Sequence, residues 1–488
     1  METSSKKRTL LPELRQILPV DSVLSETEDL RPYECDGLSA YRQVPMLVVL
    51  PETIDQVQQI MHLCIRHQVA VIARGAGTGL SGGALPLADG VLLSLAKFKK
   101  ITDIDPLART ATVQPGVRNL AISEAAKPLG LYYAPDPSSQ IACTIGGNVA
   151  ENSGGVHCLK YGLTVHNILK LKIITIEGEL LTIGGDSLDS PGYDLLALMT
   201  GSEGMLGVIV EVTVKLLPIP EQAKVLMASF DDVFNAGNAV ANVISAGIIP
   251  GGLEMMDKLA VKAAEDFIHA DYPLDAEAIL LCELDGSKIE VDELIPQAEE
   301  ILRQSGATDI RLAKDDAERE MFWKGRKSAF PAVGRMAPDY YCMDGTIPRK
   351  ELANVLKIIA DLSKQYDLPV ANVFHAGDGN MHPLILYDAN IEGELERTEE
   401  FGAKILEACV KAGGTITGEH GVGLEKIDQM CVQFKSAELN QFHEIKNAFD
   451  PDALLNPGKA VPTLHRCAEL GAMHVHDGKL PHPDLPRF

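Results

Sequence analysis

The sequence predicts an α+β fold with more than one domain, and three observations support this prediction. A chain of 488 residues is longer than a single hydrophobic core usually supports. Three glycine-rich blocks, each beside an apolar run of β type, lie between residues 45 and 220. Beyond residue 220, short apolar strands alternate with amphipathic helices of about 10 to 15 residues, a pattern typical of α/β units packed on one sheet.

The first glycine-rich block, residues 74–83, follows the apolar run 69–73. Residues without a Cβ allow backbone N–H groups to close around a phosphate. Gly77, Gly79 and Gly82 satisfy the spacing G-x-G-x-x-G, but a dinucleotide fingerprint also needs a helix directly behind the glycines. A second apolar strand, residues 91–95, follows instead. The block therefore predicts a phosphate-binding loop between two strands and excludes a Rossmann turn.

The second block runs from Pro135 to Gly155 and the third from Thr200 to Ile209. A single glycine-rich block more often marks a tight turn than a ligand site. Three blocks in order within one segment are hard to explain as turns alone. Together they resemble the PCMH-type FAD-binding domain of the vanillyl-alcohol oxidase flavoprotein superfamily, and the match extends from Pro45 to Leu217.

This resemblance implies that the three blocks bind the diphosphate and the flavin ring of FAD. Some members of the superfamily attach FAD through a histidine in the first loop. Because residues 74–83 contain no histidine, we expect FAD to be bound without a covalent bond. The predicted cofactor-binding residues are Arg74, Gly75, Ala76, Gly77, Thr78, Gly79, Ser81, Gly82, Pro137, Ser138, Thr144, Gly146, Gly147, Asn152, Ser153, Gly154, Gly155, Glu203, Gly207, Ile209 and Asn456.

The second half of the chain resembles the C-terminal cap domain of the same superfamily, an α/β domain of ferredoxin-like type. Its predicted strands are residues 225–230, 279–284 and 340–347, and its predicted helices are residues 233–246, 289–304 and 350–365.

A pair of histidines in this half predicts the reactive site. Residues 370–375 and 381–385 read as two strands, and the Asp-Gly pair between them is a strong hairpin signal. Such a hairpin would bring His375 and His382 side by side, and Glu419 downstream offers a carboxylate. Two imidazoles and one carboxylate are a common ligand set for a catalytic divalent metal ion with an open position. A histidine pair alone, however, is more often structural than metal-binding.

The motifs around these residues favour the metal site. His-x-Gly-Asp-Gly-Asn-x-His, followed downstream by Gly-Glu-His-Gly, resembles the D-2-hydroxyacid dehydrogenase and glycolate oxidase branch of the superfamily. The resemblance implies that His375, His382 and Glu419 bind a divalent metal, with zinc expected and manganese or iron open. It also implies that His420 acts beside the flavin, where a neutral imidazole can accept the substrate's hydroxyl proton.

A 2-hydroxy acid also carries a carboxylate, which a fixed arginine binds well. Trp323-x-x-Arg326 resembles the element that supplies this arginine in the branch, and Arg335 is the second candidate. The related 2-hydroxyglutarate enzymes have a lysine near Cys342 and an asparagine near Leu384 for a second carboxylate. Neither is present here, which favours a small monocarboxylate such as glycolate or D-lactate.

Two alternatives to this function stay open. The chain could be a non-catalytic flavin-domain subunit, although its intact histidine and glutamate set speaks against that. An oxidase of aromatic alcohols or sugars usually has a histidyl flavin and lacks the metal ligands.

Electrons that the flavin takes from the substrate must pass on to an acceptor. The nine cysteines are scattered without a C-x-x-C pair, so no iron–sulfur centre is expected within the chain. The resemblance to glycolate oxidase subunits implies a second flavin-domain subunit and an iron–sulfur subunit as partners, associated with the inner membrane. A net charge of −24 argues against nucleic acid, and no apolar run reaches the roughly 18 residues of a membrane span. Without a signal-peptide pattern, we expect a cytoplasmic protein.

The predicted organisation has five parts. They are an N-terminal helical lead-in (1–44), the FAD-binding domain (45–220), the substrate or cap domain (221–412), a helical C-terminal segment that returns to the flavin (413–463), and a tail (464–488). The tail contains His465, His474, His476 and His482 among prolines, and its composition favours a flexible or docking segment over a metal site.

Overall fold

The computed structural model describes residues 2–187 and 192–462, and the histidines of the predicted tail lie outside this range. The described chain forms two compact units. The first unit consists of residues 2–153, 163–218 and 420–462, apart from the gap at 188–191. The second unit consists of residues 154–162 and 219–419. The predicted α+β class is confirmed, whereas the predicted domain boundaries stay predictions.

The elements of the first part of the chain, up to residue 218, are α1 (Glu2–Ile17), β1 (Val23–Leu24), α2 (Thr27–Leu30), β2 (Leu47–Val49), α3 (Ile54–Arg66), β3 (Val71–Arg74), β4 (Val91–Ser94), β5 (Ile101–Asp105), β6 (Thr110–Val113), α4 (Asn119–Ala126), β7 (Leu131–Tyr132), α5 (Ile145–Glu151), α6 (Cys158–Tyr161), β8 (Ile168–Ile174), β9 (Leu180–Gly184), α7 (Leu195–Met199), β10 (Val208–Lys215) and β11 (Leu217–Pro218). The elements that follow are β12 (Gln222–Phe230), α8 (Val233–Ser245), β13 (Gly252–Asp257), α9 (Lys258–Ile268), β14 (Ala278–Gly286), α10 (Lys288–Gln304), β15 (Asp309–Leu312), α11 (Asp316–Lys327), α12 (Ala329–Val333), β16 (Asp339–Cys342), β17 (Gly345–Thr346), α13 (Leu352–Tyr366), β18 (Val370–His375), β19 (Asn380–Tyr387), α14 (Glu394–Lys411), α15 (Met430–Gln433) and α16 (Ser436–Phe449).

The first unit contains two main sheets. One has the order β1-β2-β4-β3, with β2, β4 and β3 parallel, and the other is antiparallel with the order β5-β6-β10-β8-β9. Helix α3 begins at a capping box between Thr53 and Gln56, which satisfies backbone donors at the helix start. Its apolar face is buried in the same core as Leu10 and Leu14 of α1, which anchors the sheet that carries the first glycine loop.

The first glycine block connects β3 to β4, which are neighbours in parallel register. No helix occurs between these strands, so the predicted strand–loop–strand arrangement is confirmed. Within the second block, residues 145–151 form the short helix α5, an element that the sequence analysis did not predict.

The C-terminal segment of the first unit lies along β3. The Val71 N–H donates to the Leu454 carbonyl at 2.7 Å, and the Asn456 N–H donates to the Val71 carbonyl at 2.9 Å. Residues more than 380 positions apart in sequence therefore share one sheet edge next to the first glycine loop.

The second unit is built on one antiparallel sheet in the order β15-β12-β14-β13-β18-β19-β16, with β17 also paired to β19. Helices α8, α9 and α10 contact these strands, as an amphipathic helix does when it buries its apolar face on a sheet. The predicted alternation of strands and helices is confirmed here. The sequence prediction did not include β13, which lies in the middle of the sheet.

The predicted strand 340–347 is broken into β16 and β17. Both pieces pair with β19 in one register, which places residues 343 and 344 opposite Pro383 and His382. The Met343 N–H donates to the Pro383 carbonyl at 3.1 Å, but proline has no N–H to return the bond. The ladder is therefore interrupted at the place where Asp344 faces His382.

Candidate active site

The hairpin of β18 and β19 places the two predicted histidines together. Val373 pairs with His382 and His375 pairs with Asn380, so the histidines are diagonal neighbours on one face of the sheet. Their ring centroids are 5.0 Å apart, with the rings at 83°. Both side chains are buried, at 3% and 2% exposure. The expected proximity of His375 and His382 is therefore present in the structure.

Glu419 completes this group within the second unit. Its Oε1 atom lies 3.3 Å from Nε2 of His375 and 3.3 Å from Nε2 of His382. One ligand atom from each of the three residues lies within 4.8 Å of the others. Two imidazole nitrogens and one carboxylate oxygen converging in a buried place are a donor set that suits a divalent transition metal.

Two further carboxylates, which the sequence analysis missed, support this group. Glu254 on β13 accepts hydrogen bonds from Nδ1 of His375 at 2.9 and 3.0 Å. Asp344 lies 3.3 Å from Nε2 of His382. Both carboxylates are 1% exposed or less. The sequence signals for them were weak: Glu254 lies in a short strand that is apolar apart from Glu254 and Asp257, and Asp344 precedes Gly345 at the strand break.

Asp344 also organises the loop that carries Glu419. It accepts hydrogen bonds from the Thr417 hydroxyl at 2.6 Å, from the Gly418 N–H at 3.0 Å and from the Glu419 N–H at 3.2 Å. A Cβ on Gly418 would lie 2.6 Å from the side chain of Asn380, so only glycine fits the loop there. The backbone of residues 417–419 is thus fixed to the strand break opposite His382.

The charges around His375 oppose one another. Burial lowers the pKa of His375, but the adjacent Glu254 and Glu419 carboxylates outweigh burial and hold its pKa well above the usual value. Burial raises the pKa of the nearby Asp378 carboxyl to about 6. The buried carboxylates of Glu254, Glu419 and Asp344 thus surround the two histidines, and such a setting favours a positive charge on a histidine or a bound cation.

The two arginine candidates lie in different surroundings. Arg326 on α11 is fully buried, and its Nη2 atom forms an ion pair with Glu254 at 2.6 Å. Its Nε and Nη1 atoms are buried and have no hydrogen-bond partner among the described residues. Arg335 is exposed, with its guanidinium 5.6 Å from the ring centre of Phe267. Arg326 is thus one contact away from His375, through Glu254.

His420 belongs to the first unit, whose C-terminal segment begins at this residue. Gly154 and Gly155, predicted to bind FAD, belong to the second unit. The roles of these three residues stay predictions.

The three glycine-rich blocks come together in the first unit. A Cβ on Gly75 would overlap the Thr144 hydroxyl of the second block. The third block meets the second through two bonds of 2.8 Å, from the Gly201 N–H to the Val149 carbonyl and from the Glu203 N–H to the Ala150 carbonyl. The hydroxyl oxygens of Ser81 and Thr144 are buried without a hydrogen-bond partner within the described part of the chain. Close backbone approach and unused polar atoms fit a phosphate-bearing cofactor.

Several predicted cofactor residues have structural contacts that the sequence did not reveal. Asn456 donates to the Gly83 carbonyl at 2.9 Å and to the Glu203 carbonyl at 2.7 Å, while the Glu203 carboxylate accepts from the Val422 and Gly423 N–H groups, each at 2.7 Å. Ile209 is a core residue with 6% exposure. These contacts fasten residues 420–456 to the glycine loops, so at least part of their role is to hold the loops.

The remaining predicted cofactor residues lie in the glycine-rich blocks, and all are in loops except Arg74 at the end of β3 and Gly146 and Gly147 in α5. In the first unit they are Arg74, Ala76, Gly77, Thr78, Gly79, Gly82, Pro137, Ser138, Gly146, Gly147, Asn152, Ser153 and Gly207. Arg74 donates to the Cys35 carbonyl at 2.7 Å, and Asn152 adopts φ +54° at the end of α5.

Comparisons with known proteins agree with this geometry. Residues 45–184 match a family described as FAD binding domain, and residues 219–460 match FAD linked oxidases, C-terminal domain. The chain is 67% identical over 482 residues to the glycolate oxidase subunit GlcD of Escherichia coli strain K12, covering 99% of this chain and 97% of the relative. It is 39% identical to GlcD of Bacillus subtilis, covering 88% and 91% of the two chains.

More distant similarities extend the comparison. A D-lactate dehydrogenase of Anaerostipes hadrus is 32% identical, covering 92% of this chain and 96% of the relative. The solved structure of p-cresol methylhydroxylase with bound substrate has a TM-score of 0.81 at 17% identity, covering 94% and 98% of the two chains, and shows the shared fold alone. Among the described residues, no helix is long and apolar enough to span a membrane.

Proposed function

This chain belongs to the FAD-linked oxidases that include the GlcD subunits of glycolate oxidase, and from that premise we propose that it oxidises glycolate to glyoxylate. The observation that carries the proposal is the buried convergence of His375, His382 and Glu419 in a chain with this family membership. The alternative of a non-catalytic flavin subunit does not account for that convergence.

The reaction removes a hydride from C2 and a proton from the hydroxyl of the 2-hydroxy acid. Bound FAD would supply the hydride acceptor, and a divalent ion, zinc before manganese or iron, would lower the pKa of the hydroxyl. His375, His382 and Glu419 would hold the ion, because Nε2 of each histidine and Oε1 of the glutamate converge. His420 accepts the hydroxyl proton on a ring nitrogen.

Arg326 binds the substrate carboxylate. Its Nη2 atom is engaged by Glu254, and its two other buried donor atoms, Nε and Nη1, are available for a carboxylate oxygen. A guanidinium that is already held in place loses little freedom when it binds substrate. Arg335 is the weaker candidate because its side chain is exposed and stacks on Phe267.

The experiment that tests the function is anaerobic reduction of the purified yellow protein by a substrate panel. Glycolate is expected to bleach the flavin absorbance fastest, D-lactate more slowly, and D-2-hydroxyglutarate least. Faster bleaching by D-lactate would favour the second candidate function, that of a D-lactate dehydrogenase. The chain is 32% identical to the D-lactate dehydrogenase of Anaerostipes hadrus. No bleaching by any hydroxy acid would mean a non-catalytic subunit.

Electron transfer to partners is part of the same proposal. The E. coli relative is a subunit of glycolate oxidase by its name. We propose that a second flavin-domain subunit and an iron–sulfur subunit receive the electrons, with the complex peripherally bound at the inner membrane. The isolated chain should then reduce an artificial dye much faster than O₂. Equal turnover with dye and O₂ would identify a self-sufficient oxidase.

A further inference from the structure

We propose that Glu254 is a positioning residue that holds the metal-ligating histidine His375 and the substrate-binding arginine Arg326 at the same time. This inference rests on the proposed function, because it assigns Glu254 a role toward the metal and the substrate. Glu254 belongs to β13, the strand that the sequence analysis did not predict, and it has 1% exposure.

The sheet register places Glu254 against His375. Strands β13 and β18 are antiparallel, with Met255 opposite Phe374. One residue further along the same register, Glu254 stands opposite His375. Directly opposed side chains on one face of an antiparallel pair are the closest cross-strand neighbours. Because both residues of this contact lie on paired strands, the contact does not depend on a flexible loop.

The hydrogen bond defines which nitrogen of His375 is free. Both oxygens of Glu254 lie about the same distance from Nδ1, at 2.9 and 3.0 Å. An ionised carboxylate only accepts, so Nδ1 carries the proton and donates it. Nε2, on the other side of the ring, faces Glu419 at 3.3 Å, and it is the atom at which a bound metal would replace the second proton of His375. A carboxylate behind a ligating histidine is the usual means of fixing its tautomer and ring orientation.

The same carboxylate also fixes the arginine. Nη2 of Arg326 lies 2.6 Å from Oε2 of Glu254, and both side chains are 1% exposed. A buried guanidinium without a counter-charge would be strongly unfavourable. Glu254 therefore sets the distance between the substrate-binding group and the metal ligand, since each of them contacts one carboxylate that cannot move far.

A simpler role must be separated from this one: Glu254 could only neutralise Arg326. The pair of variants Arg326→Met and Arg326→Met/Glu254→Met separates the two roles. In the double variant neither buried charge is left alone, and methionine is close to both side chains in length, so the core stays filled. If Glu254 acts on His375 directly, removing it still matters when Arg326 is already absent.

The measurement is the affinity of the metal-depleted flavoprotein for Zn²⁺, by competition with a chromogenic chelator. We expect Arg326→Met/Glu254→Met to bind Zn²⁺ about 10- to 100-fold more weakly than Arg326→Met, the usual cost of losing the partner behind a ligand. The matched control is Glu283→Gln. Glu283 is a buried carboxylate of the neighbouring strand β14 that contacts His157, Trp323 and Arg319, and its loss should leave Zn²⁺ affinity unchanged.

The outcomes distinguish the inference from the function beneath it. Equal Zn²⁺ affinity of Arg326→Met and the double variant, with His382→Ala still losing the ion, would overturn the role of Glu254 and leave the metal site standing. Zn²⁺ binding unaffected by His382→Ala as well would overturn the metal site itself. If the double variant does not fold, Arg326→Met is compared with Arg326→Met/Glu254→Gln, in which glutamine replaces the carboxylate. Its amide still accepts from Nδ1 but lacks the charge, so Zn²⁺ affinity should fall by less than tenfold, and an unchanged affinity would count against the inference.

Discussion

The glycine loops of the first unit and the histidine cluster of the second are the two proposed binding sites, and they are made of different atoms. The glycine loops are formed by backbone: Gly75 lies against Thr144, and the second and third blocks are joined by N–H to carbonyl bonds. The histidine cluster is formed by side chains from β13, β18, β19, α11 and the loop at residues 417–419. Both sites also contain buried carboxylates, and the hydrogen-bond partners of these carboxylates differ between the two units.

In the first unit the Glu203 carboxylate accepts two backbone N–H groups, at 2.7 Å each. In the second unit the Glu254 carboxylate binds a histidine and an arginine. A backbone site is sensitive to added atoms, because any Cβ can block it, whereas a side-chain site is sensitive to lost head groups. This difference predicts opposite kinds of damaging substitution in the two units.

The largest effect is expected for His420→Ala. This residue begins the C-terminal segment of the first unit, directly after the predicted metal ligand Glu419 of the second. Loss of a general base typically slows the chemical step about 10²- to 10⁴-fold. FAD content should stay normal, because the described contacts that hold the loops are made by Glu203 and Asn456. Stopped-flow flavin reduction by glycolate measures the rate, with His62→Ala on the exposed face of α3 as control. Reduction within tenfold of the parent would assign the base elsewhere.

The next effect concerns the ligands of the second unit. His382→Ala removes one of the three proposed metal ligands, and we expect Zn²⁺ affinity to fall by more than about 100-fold, a larger loss than for a supporting residue. FAD content should again be unchanged. Metal analysis of the purified protein, with His157→Ala as a control histidine of the same unit, measures the difference. Unchanged metal stoichiometry in His382→Ala would show that the histidines are structural.

A smaller effect is expected for an added methyl group in the first glycine loop. Gly77 has φ +71°, and a Cβ there would overlap the Arg74 guanidinium. The strained backbone alone costs about 1–2 kcal/mol, so Gly77→Ala should lower the free energy of unfolding of the apoprotein by about that amount. Gly79→Ala is the matched control for loop stability, since a Cβ there would meet only the Asp36 carboxylate, at 3.9 Å. Equal thermal stability of the two apoproteins would contradict the backbone account.

The smallest effect is a pH dependence of the first unit. Burial lowers the pKa of Lys459 from 10.5 to about 8, against the nearby Asp36, Glu203 and Glu151. Between about pH 8 and 10.5 the unfolded chain then binds more protons at this residue than the folded chain. The free energy of unfolding therefore rises with pH in this window, relative to Lys459→Met. Denaturant unfolding of both proteins at pH 7.5 and 9.5 measures how the free energy of unfolding changes with pH. Equal changes in the two proteins would contradict a lowered pKa of Lys459.

Much of the proposed cofactor site of the first unit was predictable from sequence, because its first loop is recognisable by its glycine content. The residues 74–83 contain five glycines next to an apolar strand, and the strand–loop–strand order follows from the missing helix. The hairpin of His375 and His382 was predictable for the same reason, since both histidines flank one local turn. Local chemistry and short spacing were enough in both places.

Only the tertiary structure decided the partners. Glu254 reaches His375 because β13 and β18 are neighbours in the sheet, although 121 residues separate them in sequence. Asp344 faces His382 because β16 and β17 pair with β19 in one register, and Asn456 reaches Gly83 across 373 residues. A sequence pattern states which face a residue points to, but not which strand lies next to its own. The order of the strands depends on the packing of the whole sheet, and this order determines which carboxylates lie next to the histidines.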